Sequence, residues 1–395
     1  MQSNHKRKAY YFSPYDVLRP RTNQISDVRF CEGLAQNNCE VTLIVPYSYR
    51  SDNLAKKGVL DFYGVKDKYR VIYLPTLFFS DVSGKLMTSI MVFFNALFFL
   101  KISFNSFFSK DKDYLVFSRS PVILLPMVLL QSILKSNLKI ITWVHEIKDS
   151  AVYQTVYRKS DFILGTNSAI TEDIHQLLGI DKSKLGLTLN PITESQSNLK
   201  ISKSEARKRF GFDDTTQLVV YTGKLFIGQQ EAIFILNAAK QLPQYNFLLT
   251  GGKPNVIEYY SQWCKENGMT NVKFSGYLKD YREMIYYQFA ADVLVSYYTN
   301  SEHDLRYNLP QKIIEYMHTG NPIVTPDFEA TRDLLTEENA LFVEGNNVES
   351  LSKGIEKLMK DRALALRLGA KAKLEAKDYT FKSIIQRILT QISRS

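Results

Sequence analysis

Gln311, Lys312 and Glu315 are the residues whose types and spacing point most directly to chemistry. They lie in 307–325, YNLPQKIIEYMHTGNPIVT. There Asn308 can cap the first free amides, Pro310 fits a first turn, Gly320 suits a left-handed C-terminal position, and Pro322 prevents continuation. Ile313, Ile314 and Met317 recur at core-facing spacing, leaving Gln311, Lys312 and Glu315 to share the opposite side. A cation in the first turn opposes the helix dipole, and its placement becomes favourable when a phosphate lies between them. A solvated lysine that tolerates a small penalty is the alternative.

Three other segments could meet that helix. Apolar runs at 218–222, 246–250 and 272–275 end in Gly223-Lys224, Gly251-Gly252 and Gly276-Tyr277-Leu278. Open α/β sheets gather ligands outside the carboxyl ends of their strands, and glycine lets backbone approach a ligand closely. Lys224 and Lys312 could neutralise a diphosphate, while Glu315 could accept two hydrogen bonds from ribose hydroxyls. Singly, such glycines are common tight turns and such lysines are commonly solvated. In this order they describe a nucleotide-sized site. In the first half of the chain, His145 and Glu146 follow the strand 139–144, a ligand-gathering position that also suits a structural histidine.

The elements that must position these residues alternate as β and α. Strands are expected at 8–12, 40–46, 69–74, 114–118 and 139–144, the second of them, EVTLIVP, apolar enough for a parallel sheet covered on both faces. A helix is expected at about 27–36. The loop before it, 13–27, holds Arg19, Arg21, Thr22, Asn23 and Ser26 but no glycine, so the GxGxxG pyrophosphate fingerprint is absent, which argues against a nicotinamide or flavin site there. The polar run 193–204 has linker composition, after which Ser202 and Glu205 cap a basic helix and the rhythm restarts. At 395 residues, two domains are the default, here 1–192 and 193–376, followed by 377–395.

The most apolar stretch is 85–108, KLMTSIMVFFNALFFLKISFNSFF. Lys101 interrupts it, leaving 86–100, shorter than the roughly 20 residues a bilayer span needs. It is either a buried helix or an in-plane helix whose phenylalanines dip into an anionic membrane while Lys85, Lys101, Lys110 and Lys112 meet the headgroups. Its phenylalanines exceed what one core-facing stripe requires, which favours a membrane or partner surface. The segment 121–134 reads as core.

Hydrophobic residues make up 45% and charged residues 23%, which excludes a disordered chain. A net charge of +10 permits nucleic acid, anionic lipid or phosphorylated substrates. No zinc-finger spacing, aromatic RNA-binding signature or arginine-rich tail is present, which argues against nucleic acid. Cys31, Cys39 and Cys264 are few and without CxxC spacing, as expected in a reducing, cytoplasmic compartment. The N-terminus lacks the apolar core of a secretion signal.

Taken together, YTGK at 221–224, GYL at 276–278, PQKIIEYMHTGNPIV at 310–324, VHE at 144–146 and NPI at 190–192 resemble the motifs of retaining glycosyltransferases of the GT-B fold, family 4 in particular. The resemblance implies two Rossmann-like, doubly wound α/β domains facing a cleft, with 378–393 similar to the last helix that crosses back to the first domain. It implies that Lys224 and Lys312 bind the donor diphosphate, Glu315 the ribose, Tyr277 and Leu278 the base, and that His145 faces the transferred sugar. No metal or other cofactor is implied, because the leaving phosphate itself helps deprotonate the acceptor in a front-face displacement. The donor would be a nucleotide-diphosphate sugar and the acceptor a glycan or lipid-linked sugar, handled at the inner face of the cell membrane in cell-envelope polysaccharide synthesis.

Two departures stand out. The family's Glu-x7-Glu pair would place its first glutamate at Tyr307, with Glu302 and Asp304 as nearby substitutes, and the second cation of its R-x5-K pattern falls on Gln229 or Gln230. These leave two rival functions open, a catalytically silent binding or assembly protein and a nucleotide-sugar epimerase or hydrolase.

Overall fold

A computed structural model describes residues 6–17, 22–46, 58–74, 84–108, 113–134, 136–278, 281–297 and 306–395. The chain divides into two compact units, Met1–Thr188 with Phe381–Ser395, and Leu189–Thr380.

The first unit holds a sheet of seven parallel strands: β1 (Lys8–Phe12), β2 (Glu40–Pro46), β3 (Arg70–Leu74), β4 (Tyr114–Ser118), β5 (Leu138–Val144), β6 (Phe162–Gly165) and β7 (Leu185–Leu187). They run in the order β3-β2-β1-β4-β5-β6-β7, so the winding reverses between β1 and β4. Every residue of β4 and all but Glu40 of β2 is buried, as strands covered on both faces require. Helix α1 (Thr22–Gln36) begins five residues before the expected start at Asp27 and takes in Asn23 and Ser26. Arg19 and Arg21 lie outside the described residues. On α1 packs the C-terminal helix Phe381–Arg394: a Cβ at Gly33 would stand 2.6 Å from Ile385 Cδ1, so the glycine sets how closely the helices meet.

Two apolar helices cover the same unit, α2 (Gly84–Phe108) and α3 (Pro121–Leu134). Lys101 does not interrupt α2. Thr88–Phe108 is by itself a stretch long and apolar enough to cross a membrane, which removes the length argument made from the sequence. The expectation that α3 is core holds for one face only: Ile123, Leu124 and Met127 are buried while Leu129 and Ile133 are exposed.

The second unit holds six parallel strands: β8 (Leu218–Thr222), β9 (Asn246–Thr250), β10 (Val272–Gly276), β11 (Val293–Val295), β12 (Ile323–Pro326) and β13 (Leu341–Val343). Their order, β10-β9-β8-β11-β12-β13, reverses between β8 and β11. The polar run 193–204 is not an unstructured linker. Thr193 and Gln196 form a capping box for Glu194–Ser197, and Ser202 caps Lys203–Arg209, whose buried Arg207 pairs with Asp292. Helices α4 (Gln230–Gln241), α5 (Tyr281–Ala290) and α6 (Lys312–Thr319) complete what positions the site.

Candidate active site

The reversal between β8 and β11 opens a crevice at the carboxyl ends of the strands, where doubly wound sheets bind ligands. Three of the expected turns meet there. Gly251, with φ of +102°, lies so near the turn after β8 that a Cβ would stand 2.0 Å from the Gly223 carbonyl oxygen. Its amide donates to the Gly276 carbonyl (3.0 Å), tying the ends of β9 and β10. Gly252 also has positive φ. Lys224 and Tyr277 are exposed, and Leu278 is half-buried.

Helix α6 is fastened to the end of β8. The Thr222 amide and hydroxyl both donate to the Tyr316 hydroxyl (2.8 and 3.0 Å). Gln288, on α5, donates to Thr222 Oγ1 (3.2 Å) and to Glu315 Oε2 (2.9 Å). Glu315 is therefore buried in a side-chain network, and residues Ile313 to Thr319 are all buried. This corrects the expected amphipathic helix with a polar side. The start also differs: α6 begins at Lys312, preceded by Gln311 in helical conformation, and Asn308 does not cap it. What holds the 309 backbone is Asn190, whose amide donates to the Leu309 carbonyl (2.8 Å). Gly320 does take the expected left-handed C-terminal conformation, with φ of +79°.

Lys312 carries its ammonium 4.0 Å from the centre of the Tyr221 ring. Burial pushes its pKa down to about 7, against the opposing pull of the Glu231 and Glu315 carboxylates. Glu231, buried in the first turn of α4, was not singled out from the sequence; nor were Gln288 and Thr222. Gln229 is buried at the start of α4, and Gln230 is exposed, so a neutral amide stands where a second cation was expected. Tyr307 is partly exposed, with the Arg306 guanidinium over its ring, and Glu302 and Asp304 lie outside the described residues.

The first unit has its own polar cluster where its strand order reverses. Asp27 accepts from the Tyr11 hydroxyl (2.6 Å), from Ser13 (2.6 Å) and from Arg119 Nε (2.7 Å). Arg119, directly after β4, lies 4.3 Å from the Trp143 ring, against which His145 also packs with ring centres 4.9 Å apart. Both terminal nitrogens of Arg119 and Nε2 of His145 are buried without a hydrogen-bond partner among the described residues. Burial, then the Arg119 charge, holds the His145 pKa well below its ordinary value, so the imidazole is neutral. Arg119 was missed from the sequence, although its place at a strand end is the signal that picked out His145.

Residues 202–375 match the family model described as glycosyl transferases group 1. The match covers under half of the chain, so it is a likeness of the second unit to that family. No curated protein matches the chain by sequence. Among solved structures, a glycosyltransferase from Rickettsia africae superimposes with a TM-score of 0.72 over 98% of each chain at 12% identity. Anabaena HepE in complex with UDP gives 0.69 at 14% identity, covering 98% of this chain and all of the other. A sucrose-phosphate synthase from Thermosynechococcus elongatus gives 0.68 at 15%, over 98% of each. The fold is GT-B. The three glycine turns, Lys224, Lys312 and Glu315 all fall inside the matched residues 202–375, whereas His145 and Arg119 precede them.

Proposed function

We propose that this chain moves a sugar from a nucleotide-diphosphate donor to a glycan or lipid-linked acceptor, with retention and without a metal ion, on the cytoplasmic side of the membrane. The observation that carries the reading is Lys312, an inward-held cation at the amide end of α6 beside the turns of Gly223 and Gly251. An anion placed there would meet both the helix dipole and a lysine whose charge it restores. Lys224 would add a second, mobile cation. Their charge counts most as the bond from the anomeric carbon to the phosphate oxygen breaks, because that is where negative charge develops. The acceptor oxygen then bonds to the anomeric carbon from the same face and its proton passes to the leaving phosphate. Gly252 and Gly276 leave room for the nucleotide, Tyr277 and Leu278 border the base, Gln311 stands at the helix entrance, and neutral His145 offers Nε2 to a sugar hydroxyl.

The donor class is supported by relatives of the fold: HepE has been solved with UDP and glucose and with UDP-glucose. The acceptor class is supported by a lipopolysaccharide outer core galactosyltransferase, WaaB, 13% identical with a TM-score of 0.67. A silent binding protein is the second reading, favoured by Tyr307 where a glutamate is expected.

Thermal-shift measurements against UDP, GDP, ADP and CDP sugars test both, since a ligand that binds only the folded state raises its melting temperature. Stabilisation by one class, turnover that needs an acceptor, and turnover that survives a chelator support the proposal. No stabilisation by any member overturns donor binding, stabilisation without turnover leaves the silent reading standing, and turnover without acceptor makes the chain a hydrolase or epimerase.

A further inference from the structure

We infer that α2 and α3 together form a surface that lies in the plane of an anionic bilayer, dipping into it without crossing it. The inference starts from an inverted helix. The inward face of α2 carries Asn95, Ser103 and Ser106 beside Phe99 and Ile102, all buried. Its outward face carries Phe93, Leu97, Phe104, Phe107 and Phe108, all exposed. Positions 93, 97, 104 and 108 recur at helical spacing and form one stripe. A helix facing water has the opposite arrangement, with apolar residues toward the core and polar ones outward. Here the inward polar groups are partly satisfied within the helix: Asn95 donates to the Met91 carbonyl (2.7 Å) and Ser106 to that of Ser103 (2.8 Å). Nothing comparable accounts for five large apolar side chains turned outward, beyond the size of scattered surface hydrophobics.

Helix α3 extends the patch. It packs against α2 and turns Leu129, Ile133 and Leu134 outward, Ile133 with 76% of its surface exposed.

Charge selects the occupant. Neither helix contains Asp or Glu, and Lys101 is exposed within the α2 stripe, where a lysine can lay its methylenes on apolar surface and lift its ammonium to the headgroups. In and directly beside the two helices the sequence places Lys85, Lys101, Lys110, Lys112 and Lys135 against Asp111 and Asp113. A second copy of so basic a surface would be repelled; anionic lipid would be attracted.

Depth follows from packing. Thr88–Phe108 is long enough to span, but Phe99 and Ile102 belong to the core cluster with Phe12, Ile123, Leu124 and Val128. Crossing the bilayer would pull them out of it. Shallow immersion of the outer face, as in interfacial helices, keeps every one of those contacts.

The inference does not rest on the proposed chemistry and is tested apart from it. The full chain is sedimented with phosphatidylcholine vesicles and with vesicles of phosphatidylcholine mixed with phosphatidylglycerol, with nucleotide binding measured on the same preparations. The wild-type chain is expected to follow the anionic vesicles and to be weakened by salt. Phe104→Ser/Phe107→Ser/Phe108→Ser, and separately Ile133→Ser, should lose vesicle binding by roughly tenfold or more, since each removes a large apolar side chain from the bilayer, while melting temperature and nucleotide binding stay unchanged. Spin labels at Phe93→Cys and Phe108→Cys should report similar, shallow depths. Wild-type chain that stays in the supernatant with both vesicles, or a triple variant that binds like wild type, overturns the membrane surface. Loss of self-association in the triple variant, with no vesicle binding by the wild type, assigns the face to a second copy instead. Labels at steadily different depths overturn the in-plane arrangement in favour of a span.

Discussion

The Lys312 ammonium sits 4.0 Å from the Tyr221 ring centre, which ties the first residue of α6 to the strand β8 that ends at Gly223. A ring face attracts a cation but replaces water poorly, so the lysine is held in place while its charge is made costly. Such a group is poised to respond to an arriving anion.

The pH dependence of donor binding follows from that response. Before a donor arrives, Lys312 has its pKa pushed down to about 7 by burial, with Glu231 and Glu315 pulling the other way, and a bound diphosphate would raise it. The protonated form then binds better. Affinity should be highest below about pH 7 and fall as pH rises toward the bound-state value, by at most tenfold per unit. Calorimetry in buffers of differing ionisation heat should show proton uptake on binding, and Lys312→Met should flatten the profile. Binding without proton uptake by the wild type would remove the assignment.

Glu315 has a structural duty besides the expected one. Because Gln288 donates to it, Glu315→Ala leaves a buried amide short of a partner, at a cost of about 1–3 kcal/mol in stability. Glu315→Gln can still accept that bond. Both variants should weaken nucleotide-sugar binding by about tenfold or more, because hydrogen bonds to a charged group are worth about 1.5–3 kcal/mol. Denaturant unfolding alongside titration separates the two effects; Glu315→Gln with wild-type affinity would disprove the ribose contact.

Gly251→Ala should be severe. Its Cβ would stand 2.0 Å from the Gly223 carbonyl and φ is +102°, so the turns after β8 and β9 must part. Strain of about 1–3 kcal/mol is expected, with loss of nucleotide binding. Gly252→Ala, also at positive φ (+87°), meets side-chain atoms rather than backbone, Ile257 Cδ1 at 3.0 Å and Leu225 Cβ at 3.3 Å, and should disturb packing less. Equal melting temperatures for the two variants would contradict this ranking.

In the first unit, Asp27→Asn should destabilise by about 3–5 kcal/mol, since it leaves the buried Arg119 charge uncompensated. Asp27→Asn/Arg119→Met should recover much of the loss. The same double variant should raise the His145 pKa, because one of its two depressing causes is gone, yet leave it below the ordinary value, because burial, the larger cause, persists. Chemical denaturation and imidazole NMR titration read the two effects.

The sequence by itself determined the elements whose information is local. Continuous apolar runs fixed β1, β2 and β4 to the residue, Gly320 marked a left-handed helix end, and Gly251 and Gly276 marked strand-end turns, which also take positive φ. The tertiary structure alone decided the start of α6, because the Asn190 amide, far away in the chain, holds the Leu309 carbonyl that a helix capped at Asn308 would have given to the Ile313 amide. It decided the partners of Lys312, Glu315 and Arg119, since Tyr221, Gln288 and Asp27 become neighbours only when strands and helices pack. It also turned Phe93, Phe104, Phe107 and Phe108 of α2 outward. Periodicity states which residues share a helix face, but which face meets the sheet depends on the surface it must fit, and here the sheet took the side with the small and polar residues.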